Sequence, residues 1–294
     1  MIFITGDTHG PDRHGSFSRD GFMSRFNTSN FPEQREMTKN DFVIICGDFG
    51  GIWDTNRTKV TESKSEKKSL DWLEAKPFTT LFVPGNHENY DRLAGITDEK
   101  LLNSWLFADM PAAEKEKFRK GYPRIPFHGF FARQIRPSVL MLEHGVFELN
   151  GKTFFAYGGA QSHDIDGGIL NPTDFTTEKT FKAEYKRKCC GGHSFRVKGI
   201  SWWEQEQPDP IIEQNALTAL AAHNNAVDFI VTHDCAASDS ALLGYHNLSH
   251  INQFLEQIKQ TVTYTHWYFG HLHDNRNLPG DKEHVLYEQI IQIQ

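Results

Sequence analysis

Five short runs of apolar and β-branched residues, at positions 2–5, 42–46, 80–83, 229–232 and 265–269, each end in a polar segment rich in Gly, Asp, Asn or His. Runs this short and this continuously apolar read as strands buried on both faces, which is the mark of a sheet with parallel neighbours. Helical spacing of Ile212, Ala216, Leu217 and Leu220, and of Ile251, Phe254, Leu255, Ile258 and Val262, supplies helices to cover such a sheet. The middle of the chain is more β-like. There Val146-Phe147-Glu148-Leu149 and Thr153-Phe154-Phe155-Ala156 flank Asn150-Gly151, a pair suited to a two-residue hairpin turn. Two sheets are expected, in an α/β chain.

The polar segments are Gly6-Asp7-Thr8-His9-Gly10, Gly47-Asp48-Phe49-Gly50, Gly85-Asn86-His87-Glu88, Thr232-His233-Asp234 and Gly270-His271-Leu272-His273. In open α/β sheets the ligand crevice lies beyond the carboxyl ends of the strands, so five segments are expected to deliver their side chains to one rim. Any one Asp or His after a strand is ordinarily a turn former or a helix cap. Five in series are not explained that way. Carboxylate, amide and imidazole donors without thiolate suit Mn, Fe or Zn. The spacing Asp7-x-His9 and His271-x-His273 places both members of each pair on one side if the backbone is extended.

Composition narrows the rest. With 31 basic against 38 acidic side chains and a net charge of -7, the 294-residue chain lacks the basic footprint of a dedicated nucleic-acid binder. No apolar run approaches the ~18 residues that cross a bilayer, and no secretory signal is apparent, so a cytoplasmic location is expected. Four cysteines, Cys46, Cys189, Cys190 and Cys235, are too sparse for a disulfide scaffold, and Cys189-Cys190-Gly191-Gly192-His193 lacks the paired halves of a structural zinc site. One domain over residues 1–294 is expected. The stretch 285–291 reads as an edge strand, and the polar stretch 58–68 as a solvated loop or helix start.

The five segments, in this order, resemble the signature blocks of the calcineurin-like metallophosphoesterase superfamily. The likeness runs from Gly6 to His273. It implies a four-layer α/β/β/α sandwich of two mixed sheets around a dinuclear metal centre, with Mn, Fe, Zn or Ni as the ions. By that resemblance Asp7, His9 and His273 hold one ion, Asn86, His233 and His271 hold the other, and Asp48 bridges them. The implied chemistry is hydrolysis of a phosphomonoester or phosphodiester, on a small molecule or nucleotide, with His87 as general acid to the leaving group. Gly85-Asn86-His87-Glu88-Asn89-Tyr90-Asp91, Tyr157-Gly158-Gly159-Ala160, Ser162-His163-Asp164 and Ser201-Trp202-Trp203-Glu204 are similar to a bacterial and phage branch of the superfamily.

The chain departs from the protein Ser/Thr phosphatase branch in two places. Pro84 stands where that branch has an arginine, and Gly47-Asp48-Phe49-Gly50-Gly51-Ile52-Trp53 lacks its second aspartate, which in that branch orients the catalytic histidine and for which Asp54 is the candidate substitute. Candidate phosphate clamps are Arg92, Arg133 and Arg136, because guanidinium matches phosphate geometry. His163 is a further substrate candidate; a plain turn at 162–164 is an equal reading. Asp234 either orients a ligand imidazole or caps a helix, and Trp202-Trp203 reads as packing. A nuclease and a non-catalytic binding module that keeps the fold are the alternatives. The first needs a basic groove and the second predicts lost ligands, whereas all seven are present.

Overall fold

A computed structural model describes residues 1–11 and 21–294. Its strands are β1 (Ile2–Thr5), β2 (Phe42–Ile45), β3 (Thr79–Phe82), β4 (Arg124–Phe127), β5 (Phe130–Arg136), β6 (Val139–Leu142), β7 (Gly145–Leu149) and β8 (Lys152–Tyr157). After these come β9 (Ile169–Leu170), β10 (Arg196–Val197), β11 (Phe229–Thr232), β12 (His266–Phe269), β13 (Arg276–Asn277), β14 (Glu283–Val285) and β15 (Ile290–Gln292). One sheet runs β15-β1-β2-β3-β6-β5-β4 and the other β13-β14-β12-β11-β8-β7, with β9 and β10 a separate pair. Both large sheets are mixed. β1, β2, β3 and β6 are mutually parallel, as are β8, β11, β12 and β14, and antiparallel strands close the edges.

The apolar runs are continuous because their strands are buried twice over. Ile4, Ile44 and Leu81 face Phe154, Phe229, Val231 and Tyr268 between the sheets. The alternate residues Val43, Ile45 and Phe82 pack outward against Phe22, Leu70 and Leu73. On the far side Phe155, Ile230 and Trp267 meet Ala216 and Leu220 of the helix Pro210–Ala222, and Ile251, Leu255 and Ile258 of the helix His250–Thr261. Each such side chain contributes roughly 1.5–3 kcal/mol relative to an exposed one. The outcome is the four-layer α/β/β/α sandwich of two mixed sheets. Asn150 and Gly151 turn β7 into β8 at φ 50° and 75°, as a type I′ hairpin requires.

The expected edge strand at 285–291 is instead two strands in different sheets. β14 lies between β12 and β13, while β15 pairs antiparallel with β1 at the edge of the other sheet. Between them Leu286 is buried and the Tyr287 carbonyl accepts the Gly6 N–H at 3.0 Å, so the chain crosses from one sheet to the other along the rim where the polar segments gather. Among the described residues no helix is long and apolar enough to cross a membrane. The polar stretch 58–68 runs into the helix Lys64–Glu74, opened by a capping box of Ser63 with Glu66.

Candidate metal centre

Asp7 follows β1, Asp48 β2, Asn86 β3, His233 β11 and His271 with His273 β12, so strand ends from both sheets converge on one rim. Asp7, Asp48, Asn86 and His233 are buried. His9 Nε2 lies 3.2 Å from Asp48 Oδ2, His233 Nε2 lies 3.3 Å from Asp48 Oδ1, and His273 Nε2 lies 3.3 Å from Asp7 Oδ2. Ligand atoms of Asp7, His9 and His273 all fall within 4.8 Å of one another, as do those of Asp7, Asp48 and His233 and of His9, Asp48 and His87. The His271 ring lies 4.9 Å from that of His233, and Asp7 accepts the His271 N–H at 3.0 Å.

The pairs Asp7/His9 and His271/His273 are brought together by a different route from simple strand alternation. β1 and β12 end at Thr5 and Phe269, and His9, His271 and His273 have φ of 47°, 66° and 50°, as Asp48 has at 44°. Four of the nine non-glycine residues with positive φ among the described residues therefore sit at this site. Such backbone costs of order 1–3 kcal/mol per residue and persists where surrounding structure imposes it. Two glycines beside these residues let the segments approach closely. A Cβ on Gly270 would stand 2.0 Å from Asp7 Oδ1, and one on Gly85 would stand 2.1 Å from Asp48 Oδ1.

Donor and acceptor accounting tests whether a cation fits. His233 Nδ1 is 2.9 Å from the Cys46 carbonyl, which can only accept, so Nδ1 carries the proton and Nε2 of the neutral ring presents a lone pair. That lone pair faces Asp48 Oδ1 at 3.3 Å and Asn86 Oδ1 at 3.1 Å. The amide of Asn86 is oriented the same way by its other end. Glu206 accepts the Ser162 N–H and Oγ–H, both at 2.8 Å, leaving Ser162 Oγ to accept from Asn86 Nδ2 at 3.4 Å. Three lone pairs thus converge with no proton of their own, and a cation or an added proton has to relieve them. The residues fit a metal ion. Burial opposes the charge on Asp48, but His233, His87 and His9 hold its carboxyl well below the usual range. Burial lowers His233 while Asp48 and Asp7 more than offset it and raise it.

His87 packs against this cluster, its backbone N–H donating to Asp48 Oδ1 at 2.7 Å and its ring stacked on Trp53 at 5.9 Å. Burial pushes its pKa down to about 4, Arg196 adding to the effect and Asp48 opposing it. The expected partner Asp54 does not hold this ring. Arg196 does: Nη2 lies 3.1 Å from His87 Nε2, and the guanidinium is paired with Asp164 at 2.6 Å. Arginine is only a donor, so His87 Nε2 accepts and the neutral ring keeps its proton on Nδ1. Sequence reasoning missed Arg196, because nothing in Ser194-Phe195-Arg196 marks it; the β9–β10 pairing brings it in.

The proposed clamps do not reach the cleft. Arg92 is buried against Glu66 at 2.7 Å, with the Asp54 carbonyl beside it, Arg133 pairs with Glu143 at 2.9 Å on β5, and Arg136 is spent on Glu62 and Asp71. Each satisfies a carboxylate that the fold leaves near it. His163 does line the cleft, its ring 5.6 Å from that of His271. Asp234 also lines it and accepts the Cys235 N–H at 2.8 Å. Trp203 is packing: it is buried, and its Nε1–H donates to Asp91 Oδ2 at 3.0 Å. Cys189 and Cys190 are exposed free thiols.

The family model of the calcineurin-like phosphoesterases matches residues 1–275. The chain belongs to that family. Phosphoester hydrolysis at a dinuclear metal site is the family's chemistry, and this phosphoesterase carries clustered Asp and His side chains that could hold a metal ion. No curated protein matches the chain. Among solved structures the phosphoesterase is similar to a phosphopantetheinyl hydrolase from Mycobacterium tuberculosis, at 15% identity and a TM-score of 0.35, covering 97% of this chain and 86% of that one. It is also similar to a protein described as a 5'-nucleotidase from Staphylococcus aureus, at 12% identity and a TM-score of 0.40, covering 97% of this chain and 47% of that one.

Proposed function

We infer that the chain hydrolyses a phosphomonoester or phosphodiester of a small molecule or nucleotide with two divalent ions, acting as one domain. Asp7, His9 and His273 would hold one ion, Asn86, His233 and His271 the other, and Asp48 both. The observation that carries this reading is that Asp48 Oδ1 and Asn86 Oδ1 stand 3.3 and 3.1 Å from His233 Nε2 while the Cys46 carbonyl takes the Nδ1 proton. Bound ions of this kind polarise a phosphoryl oxygen and bring the pKa of water to near neutrality, which removes the need for a serine or cysteine nucleophile. The chain's own part is to position and to protonate. Asp48 keeps its charge beside three histidines and the Cys46 carbonyl fixes the His233 tautomer, while His87, whose ring is neutral beside Arg196, would take up a proton as the anionic substrate binds and pass it to the leaving oxygen. A general acid contributes on the order of 10²- to 10⁴-fold.

The test is a hydrolysis panel with Mn, Ni, Co, Fe and Zn on protein first stripped by chelator, comparing an aryl phosphomonoester, an aryl phosphodiester, a cyclic nucleotide and a short nucleic acid. Metal-dependent turnover of one phosphate geometry is expected. No turnover with any ion, or equal turnover of the chelated protein, would overturn the reading.

A further inference from the structure

The rim described above forms the floor of a cleft of about 940 Å³. That is far more than a phosphate group needs and lies in the range of about 300–1,000 Å³ that accommodates a drug-sized organic molecule. One wall is the segment 161–166 and the other is the loop that carries Gly244, Tyr245, His246 and Asn247. Two independent features of this second wall indicate what it receives. First, Leu242, Tyr245 and Leu248 are 61%, 49% and 42% exposed, and they are three of the five large hydrophobic side chains so exposed among the described residues. They fall within seven consecutive positions, at the end of the helix Ala237–Leu242 and in the loop before the helix His250–Thr261. Scattered apolar exposure is ordinary, but of these three side chains Tyr245 lines the cleft itself, so a half-exposed aromatic ring faces the space beside the metal cluster. Second, no described residue lining the cleft is Lys or Arg, whereas Asp48, Asp166 and Asp234 are among them. Among the described residues, the nearest guanidinium, Arg196 behind His87, is already paired with Asp164 at 2.6 Å, so further phosphates would find no unpaired Lys or Arg lining the cleft.

We propose that the loop segment 244–247 is a leaving-group subsite, selecting esters in which a single phosphate carries a bulky, uncharged group with an aromatic face and disfavouring extended polyanions. The proposal rests on the hydrolytic reading above for where the phosphate sits. Tyr245 offers a ring face for stacking, and Asn247 with Gln161 across the cleft supplies hydrogen bonds to polar edges of the group.

The test is calorimetric titration of the manganese-loaded protein with two non-hydrolysable probes, methylphosphonate and naphthylmethylphosphonate. The wild type is expected to bind the aryl probe on the order of tenfold or more tighter, from burial of one ring. Tyr245→Ala, at an exposed position outside the metal cluster, should remove most of that preference and leave methylphosphonate affinity unchanged, which also reports that the variant is folded. Equal affinity of the wild type for the two probes overturns the proposal, as does displacement of methylphosphonate by a short oligothymidylate at lower concentration. An intact preference for the aryl probe with no hydrolysis of naphthyl phosphate supports the subsite and refutes the hydrolytic reading instead, so the two failures are told apart.

Discussion

Replacing Ser162 with alanine should weaken one of the two proposed ions and spare the other. Glu206 takes both the N–H and the Oγ–H of Ser162 at 2.8 Å, so the serine oxygen has only acceptor capacity left for Asn86 Nδ2 at 3.4 Å. That contact distinguishes the two ends of the amide and turns Oδ1 toward His233 Nε2 at 3.1 Å. Without it the amide is free to present its NH₂ to the cation. One long hydrogen bond is worth no more than about 1 kcal/mol, or about fivefold in orientation, and loss of partners behind a metal ligand typically costs ~10- to 100-fold in affinity. About tenfold weaker binding is therefore expected for the ion at Asn86, His233 and His271, with the ion at Asp7, His9 and His273 unchanged. Competition against a fluorescent chelator, fitted to two sites, measures this. Glu206 Oε2 also loses its donor, which should lower stability by about 1–3 kcal/mol. In an Asn86→Asp background the same substitution should have no further effect on affinity, because a carboxylate has no ends to exchange. Equal weakening of both ions, or the same loss in the Asp background, would refute the reasoning.

Asp48→Asn should abolish hydrolysis and reduce bound metal below two ions per chain by elemental analysis, because its two oxygens face His9 and His233 and the amide brings an NH₂ to one of them. His87→Ala should keep both ions yet slow esters with poor leaving groups far more than activated aryl esters; equal loss on both would remove His87 as the acid. Gly270→Ala should lower the Tm and metal affinity together, since its Cβ would stand 2.0 Å from Asp7 Oδ1, and overpacking of this kind costs about 1–3 kcal/mol. Asp91→Asn tests pH dependence. Burial pushes Asp91 up to about 7, so the native state holds a proton that the unfolded chain releases near pH 4, and stability falls as pH rises between those values. Between pH 5 and about 7 the decline corresponds to about 3 kcal/mol at 1.36 kcal/mol per pH unit, and the neutral Asn variant, which still accepts from Trp203, should lack it when chemical denaturation at pH 5 is compared with that at pH 8.

Much of the fold was legible because its strands repeat one physical signal. Strands buried on both faces must be apolar throughout, so the runs at 2–5, 42–46, 80–83, 229–232 and 265–269 could be placed within about a residue of β1, β2, β3, β11 and β12. The Asn150-Gly151 turn was legible for the equally local reason that few residues accept positive φ. The C-terminal stretch was not. The same apolar letters serve β14 in one sheet and β15 in the other, and only the crossing at Leu286 and Tyr287 separates them.

For the site, the sequence alone supplied the candidate donors and their chemistry, since Asp, Asn and His after successive strands are local facts. It could not say how those side chains meet. His9, Asp48, His271 and His273 reach one another through left-handed backbone, with Gly85 and Gly270 allowing close approach, not through strand alternation. Nor did it distinguish a guanidinium that faces the cluster from one that neutralises a distant carboxylate. Arg92 and Arg133 are spent on Glu66 and Glu143, while Arg196, unmarked in the sequence, is carried to His87 by the short β9–β10 pair. The division has a physical cause: backbone preference and donor type belong to a residue and its neighbours, whereas the partner of a charge depends on which distant segments the packing brings within about 3 Å of it.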